Sequence, residues 1–212
     1  HSMKTYVLFY NKKSGDGEIG QFTGAGMYQS VSTGKFLSGK DGWDIIQSTF
    51  DVVHSDGSRS RNLAYYKRSN GRLDIGGLDF SNNPPIHVTT TNRTIDAGWD
   101  FIFPFERVSP SVDCELYIKK NGKGKLLAGG AEITKPAFSP WSHVVEVGQR
   151  FFFYNQKNGH TALGNIVGQE GSPQGPFGHK TFSVTGFVSR ELTPLPAGYQ
   201  IAVTTDHYVF LY

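Results

Sequence analysis

The sequence predicts an all-β protein assembled from a fourfold repeat, and three observations carry that prediction. First, an aromatic strand, a polar Ser/Asn-Gly turn and a second short strand recur at residues 7–20, 62–76, 115–127 and 152–164. Second, a Gly-Trp-Asp element recurs downstream. Gly42-Trp43-Asp44-Ile45-Ile46 and Gly98-Trp99-Asp100-Phe101-Ile102 are near copies, and Trp141-Ser142-His143-Val144-Val145 and Gly198-Tyr199-Gln200-Ile201-Ala202 are weaker ones. Third, no segment sustains helical spacing for a dozen residues, whereas 26 glycines, 14 % aromatic and only 18 % charged residues suit a turn-rich β-protein. Repetition of this kind decides architecture before local propensity does.

In the first unit, roughly 5–61, strands are expected at 6–11 and 18–23 around the Ser14-Gly15 turn. Alternating apolar and polar residues predict a third at 27–36, and 43–53 supplies a fourth after the turn Gly39-Lys40-Asp41-Gly42. The linker up to Arg61 leads to a second unit, 62–113, on the same plan. The third unit, 114–150, is shorter, with strands at 115–120, 125–133 and 141–147, and Pro136 makes 135–138 an edge or a loop. The fourth, 151–206, contains the low-complexity stretch 168–176, expected as a surface excursion. Residues 207–212 then repeat the opening strand.

Four units and one extra first strand are what radially repeated sheets need. The expected fold is a small four-bladed β-propeller with four-stranded antiparallel blades, its ring closed by the C-terminal strand, in one domain over residues 4–212. A repeat-built barrel or sandwich is the alternative, because sequence specifies strand number better than closure geometry.

Composition narrows the function. A formal charge of +3 is no basic stripe, so a nucleic-acid partner is not expected. No apolar run approaches the ~18 residues of a membrane span, and no secretion leader is visible. The single cysteine, Cys114, allows no internal disulfide and reads as a small buried residue. His1-Ser2-Met3 reads as an expression-tag remnant.

The run Leu8-Phe9-Tyr10-Asn11 with Gly15-Asp16-Gly17-Glu18-Ile19-Gly20, then Gly42-Trp43-Asp44-Ile45-Ile46, then His54-Ser55-Asp56-Gly57-Ser58-Arg59 before Leu63-Ala64-Tyr65-Tyr66, resembles the degenerate FG-GAP-like propeller repeats of bacterial and fungal proteins. The resemblance covers nearly the whole chain and implies a propeller serving as a lectin or a protein-binding platform. It also implies calcium loops in the linkers, with Asp or Asn at alternate positions before a glycine. Asp56 and Gly57 match that pattern, and 109–113 does not. Calcium needs six to eight oxygen ligands, so with the motif degenerate no cofactor and no metal site is expected, and calcium is kept as the alternative.

Gly15-Asp16-Gly17-Glu18-Ile19-Gly20 satisfies the dinucleotide-binding fingerprint letter by letter, but strand follows strand here, and the run reads as a hairpin turn. The residues expected to bind ligand are Trp43, Asp44, Trp99, Asp100, Trp141, His143 and Tyr199. An exposed tryptophan stacks on the apolar face of a sugar while aspartate accepts its hydroxyls. On the opposite reading, the tryptophan packs between sheets and the aspartate caps a turn. Lys12, Lys13, Lys67, Arg68, Lys119, Lys120 and Lys157 flank the hairpin turns as solvated charges or as an anion-attracting ring. Asn92-Arg93-Thr94 is a glycosylation sequon.

No serine elbow, metalloprotease helix or cysteine-ligand cluster is present, so a non-enzyme is expected, although folding can still bring distant carboxylates together. The leading expectation is a multivalent carbohydrate-binding protein whose partners are glycans or glycoconjugates, with self-association into a homo-oligomer left open. The alternatives are a protein-interaction or structural propeller and, third, a small polysaccharide-processing enzyme.

Overall fold

The computed structural model describes residues 6–22, 27–34, 42–53, 59–79, 86–109, 112–148, 150–174, 179–200, 202–204 and 208–211. Residues 1–3, read above as a tag remnant, most of residues 39–42 and the linker pair Asp56-Gly57 lie outside them. All regular structure among the described residues is β-strand, and no helix is long and apolar enough to cross a membrane. The chain forms two compact units, residues 1–98 and 99–212.

In the first unit, β1 (Tyr6–Tyr10), β2 (Gly17–Phe22) and β3 (Tyr28–Gly34) make a three-stranded antiparallel sheet. A four-stranded sheet follows from β4 (Ile45–Val53), β5 (Arg59–Lys67), β6 (Arg72–Asp79) and β7 (Ile86–Thr94). The β1–β2 turn shows why the polar Asn-Gly signal works. Asn11 Oδ1 accepts the Lys13 N–H at 3.0 Å, and Gly15, at φ 74°, donates its N–H to the Asn11 carbonyl. Gly17 already lies in β2, so the glycine-rich run is a hairpin, as expected.

The second unit holds the sheet β8 (Phe101–Ser109), β9 (Val112–Ile118), β10 (Gly124–Ala128), β11 (Ala131–Thr134). Next comes the sheet β12 (His143–Val147), β13 (Arg150–Tyr154), β14 (Thr161–Gln174), β15 (His179–Leu192). A pair, β16 (Ala202–Thr204) and β17 (Val209–Leu211), completes it.

The repeat starts one strand earlier than the sequence units imply. The strand after each Trp-Asp element opens a sheet instead of ending one. Its register repeats: the third residue after Trp43, Trp99, Trp141 and Tyr199 pairs with the aromatic-strand residues Tyr65, Tyr117, Phe153 and Leu211 respectively. A sequence repeat has no marked origin, and only the hydrogen-bond ladder shows where one sheet stops.

Two further stretches differ from expectation. Residues 125–133 are not one strand, because Gly129 and Gly130, both at positive φ, fold them into β10 and β11. The 135–138 segment contributes only an isolated bridge, Lys123 to Ala137. Residues 168–174 belong to β14 and not to a loop. Their pairing with β15 accommodates a register shift on either side of 168–170, and Gly168 leaves room for the Phe182 ring, which a Cβ would meet at 2.5 Å.

The core of the second unit contains Phe103, Cys114, Leu116, Ile118, Leu126, Trp141, Val144, Phe151, Phe153 and Ala162. Each such large apolar side chain contributes about 1.5–3 kcal/mol on burial. Cys114 is fully buried, in line with its sequence reading. In the first unit Trp43 and Tyr65 pack with Tyr10, Ile46 and Leu63.

Candidate functional site

The tryptophans chosen from the sequence as sugar-stacking residues are inside the protein. Trp43, Trp99 and Trp141 are 3 %, 4 % and 8 % exposed. Each lies against the aromatic of the strand that its own sheet pairs next: Trp43 with Tyr65 at 5.8 Å, Trp99 with Tyr117 at 5.6 Å, Trp141 with Phe153 at 5.5 Å. A cation covers two of them, Arg72 over Trp43 and Lys119 over Trp99, each 5.1 Å from the ring centroid.

The residue after each tryptophan is a cap. Asp44 Oδ2 accepts the Arg68 backbone N–H at 2.7 Å, Asp100 Oδ2 accepts that of Lys120 at 2.7 Å, and Ser142 Oγ accepts that of Gln156 at 3.0 Å. Their own N–H groups donate to the carbonyls of Tyr66, Ile118 and Tyr154. The hairpin turn so held then docks on the loop preceding the next Trp-Asp element. Gly71, Gly122 and Gly159 accept hydrogen bonds from Ile95, Phe138 and Leu195, whose carbonyl oxygens would sit 1.9, 2.1 and 1.8 Å from an added Cβ. The residue types that suggested repeated ligand sites therefore build a repeated scaffold.

Asp44 carries one extra partner. Burial alone would raise its carboxyl pKa, but the Lys12 ammonium, ion-paired with Oδ1, and the Arg68 N–H outweigh burial and hold it below the usual value. His143 and Tyr199 meet around Tyr154. The His143 ring lies 5.9 Å from Tyr154 with Nε2 2.6 Å from the Gln200 carbonyl, and the Tyr199 N–H donates to the Tyr154 hydroxyl at 3.2 Å. Both sides of that pair serve packing between β12 and the Tyr199 turn. Among the flanking basic residues, Lys12, Lys13, Arg68, Lys120 and Lys157 are exposed.

One cavity does involve sequence-selected residues. About 420 Å³ of space lies beside Trp43 and Asp44, walled by Leu8, Ile46 and Leu63 and reached by Tyr10 and Lys12. Trp43 Nε1 is buried with no acceptor among the described residues. In the second unit the repeat positions of Leu63 are held by Glu115 and by Phe151, the latter packed 4.9 Å from Phe103.

Sequence reasoning missed a surface on the β1–β2–β3 sheet. Phe9 is 53 % exposed and Tyr28 41 %, with Met27 and Val31 also exposed. The Tyr28 ring lies over Gly20, edge-on to Phe9 at 5.8 Å, and its hydroxyl donates to Glu18 Oε1 at 2.5 Å. The repeat equivalents of Phe9, namely Tyr65, Tyr117 and Phe153, are fully buried. The bare Gly20 opposite β3 was the available signal. No group of three or more His, Cys, Asp or Glu side chains among the described residues is placed to hold a metal ion.

No family model matches the chain, and no curated protein matches it in sequence. Among solved structures, it is similar to BBS1N in complex with ARL6DN, soaked with mercury, at 11 % identity and TM-score 0.41, covering 86 % of this chain and 75 % of that one. The same complex soaked with lead gives 11 % identity and TM-score 0.41 over 97 % and 86 %. The fission yeast SREBP-SCAP binding domains give 10 % identity and TM-score 0.39 over 86 % of this chain and 56 % of that one.

Proposed function

We propose that the chain is a non-catalytic protein-interaction module whose sheets are set around an axis as a four-bladed propeller closed by its last strand. The observation that carries this reading is the exposed Phe9–Tyr28 pair, with Phe9 at a position that the other sheets bury. Contiguous exposed aromatic surface of this kind marks contact sites in proteins. The capped Trp-Asp elements support it indirectly, since they are consumed by the scaffold. The test is a paired capture experiment in extract of the source organism, comparing the wild-type chain with Phe9→Ser/Tyr28→Ser. A protein retained by the first and lost by the second supports the reading, and identical profiles sink it. Small-angle scattering checks the ring, which requires a compact particle of radius of gyration near ~17 Å for a monomer of this length.

A second reading, a lectin with one site, is favoured by the Trp43 cavity, where an unmatched indole N–H, a tyrosine hydroxyl and a carboxylate surround apolar walls. A glycan array separates the two. Binding abolished by Trp43→Phe, which keeps the ring and removes the donor, promotes the lectin, and silence across the array removes it.

A further inference from the structure

The sheet β12–β15 carries a polar cluster that the scaffold does not use. Asn165 on β14 pairs with Val188 on β15, and Phe151 pairs with Gly164, so Arg150 stands level with Asn165 on its other side. Residues opposite one another in a sheet share a face. Arg190, opposite Leu163, lies one step along that same face. Arg150, Asn165 and Arg190, with Leu163, Val188 and Ser189, line a cavity of about 350 Å³.

Three features of this cavity point to a ligand. Asn165 Oδ1 is buried and has no hydrogen-bond partner among the described residues. Arg150 and Arg190 are exposed and have no ion-pair partner among the described residues. The neighbouring carboxylates cannot serve them: Glu146 is opposite Phe151 and Glu191 follows Arg190, so both alternate onto the other face. The two arginine strands flank β14 two strand spacings, about 10 Å, apart, with Arg150 level with Asn165 and Arg190 level with Leu163 along the same cavity.

The chemistry of an occupant follows. Two guanidinium forks want an anion with paired oxygens. A buried amide oxygen between them wants a hydroxyl or N–H donor beside that anion. Leu163 and Val188 offer C–H surface to a saturated skeleton. We propose that this cavity binds a carboxylate with a hydroxyl on a neighbouring carbon, carried on a sugar ring, that is, a uronic acid. The site is separate from the Phe9–Tyr28 patch and from the Trp43 cavity, so it stands or falls independently of both functional readings.

The test is calorimetric titration of the full chain at physiological salt with digalacturonate, its methyl ester and tartrate as probes. Digalacturonate should bind and its ester should not. Arg150→Ala and Arg190→Ala should each weaken binding about tenfold, with the melting midpoint unchanged because both side chains are exposed. Asn165→Leu, which keeps the volume and removes the acceptor, should weaken digalacturonate by a similar factor. Binding of the ester as tight as that of the acid, or binding unaffected by either arginine substitution, overturns the site. Tartrate binding as tightly as digalacturonate overturns the uronate assignment.

Discussion

The Asp44 carboxylate and the Arg68 backbone N–H are joined at 2.7 Å, so the residue that leads into β4 also fixes the turn at the far end of β5. Asp100 and Lys120 repeat the relationship at the same distance in the second unit. The recurrence of this bond in two sheets marks the aspartate Oδ2 as an acceptor built into the scaffold.

Replacing either aspartate with alanine strands a turn N–H and should lower stability by about 1–2 kcal/mol, while Ser142→Ala should cost less because a neutral acceptor is lost. Urea denaturation reads both. Lys12 is largely exposed, so its ion pair with Asp44 adds little.

The same carboxylate sets an acid limb. The Asp44 pKa is lowered on folding from its ordinary value of 3.8, so its contribution is complete above that value and is lost as pH falls through the lower folded one. Asp44→Asn should flatten stability against pH in that acid window and leave neutral pH behaviour alone.

Gly159→Ala and Gly130→Ala separate two kinds of constraint. Both glycines have positive φ, but an added Cβ at 159 meets the Leu195 oxygen at 1.8 Å, while at 130 nothing lies within 4 Å. Alanine at 130 should cost about 1 kcal/mol, the backbone penalty alone, and alanine at 159 more than about 2 kcal/mol. Equal thermal shifts would show that the turn does not dock on its loop.

Leu63→Phe should fill the cavity beside Trp43 as Phe151 fills the equivalent position. A gain of about 0.5–2 kcal/mol is expected, together with loss of any small ligand held there. Differential scanning calorimetry measures the first, and a repeat of the glycan array measures the second.

Tyr28 gives a spectroscopic handle on the exposed sheet. Its hydrogen bond to Glu18, followed by desolvation and the repulsion of that carboxylate, pushes its pKa up from 10.0 to about 12. The interaction is complete below pH 10 and is lost as pH rises through that window. The difference tyrosinate spectrum between wild type and Tyr28→Phe should therefore titrate near 12, and Glu18→Gln should bring it back toward 10.

The repeat and the all-β class were legible because the same residue types return at the same spacing. For Trp43 and Asp44 the sequence offered both a packing-and-capping reading and a ligand reading; the first is what the structure shows, through Tyr65 and Arg68, both supplied by another strand. The division of 125–133 was written in Gly129-Gly130 but hidden by the apolar residues around it. Residues 168–174 have the composition of a loop, and only their partners in β15 make them strand. Arg150 and Arg190 are forty positions apart, and no periodicity announces that the register sets them around Asn165.

Among the described residues, every sheet pairs each strand with its sequence neighbour. The consequence is kinetic. Pairing between sequence neighbours closes each loop over a shorter stretch than a crossover would, which lowers the chain entropy lost per strand added. A chain emerging from the ribosome can complete β4–β7, β8–β11 and β12–β15 one after another, so the inner strands of those sheets spend little time unpaired.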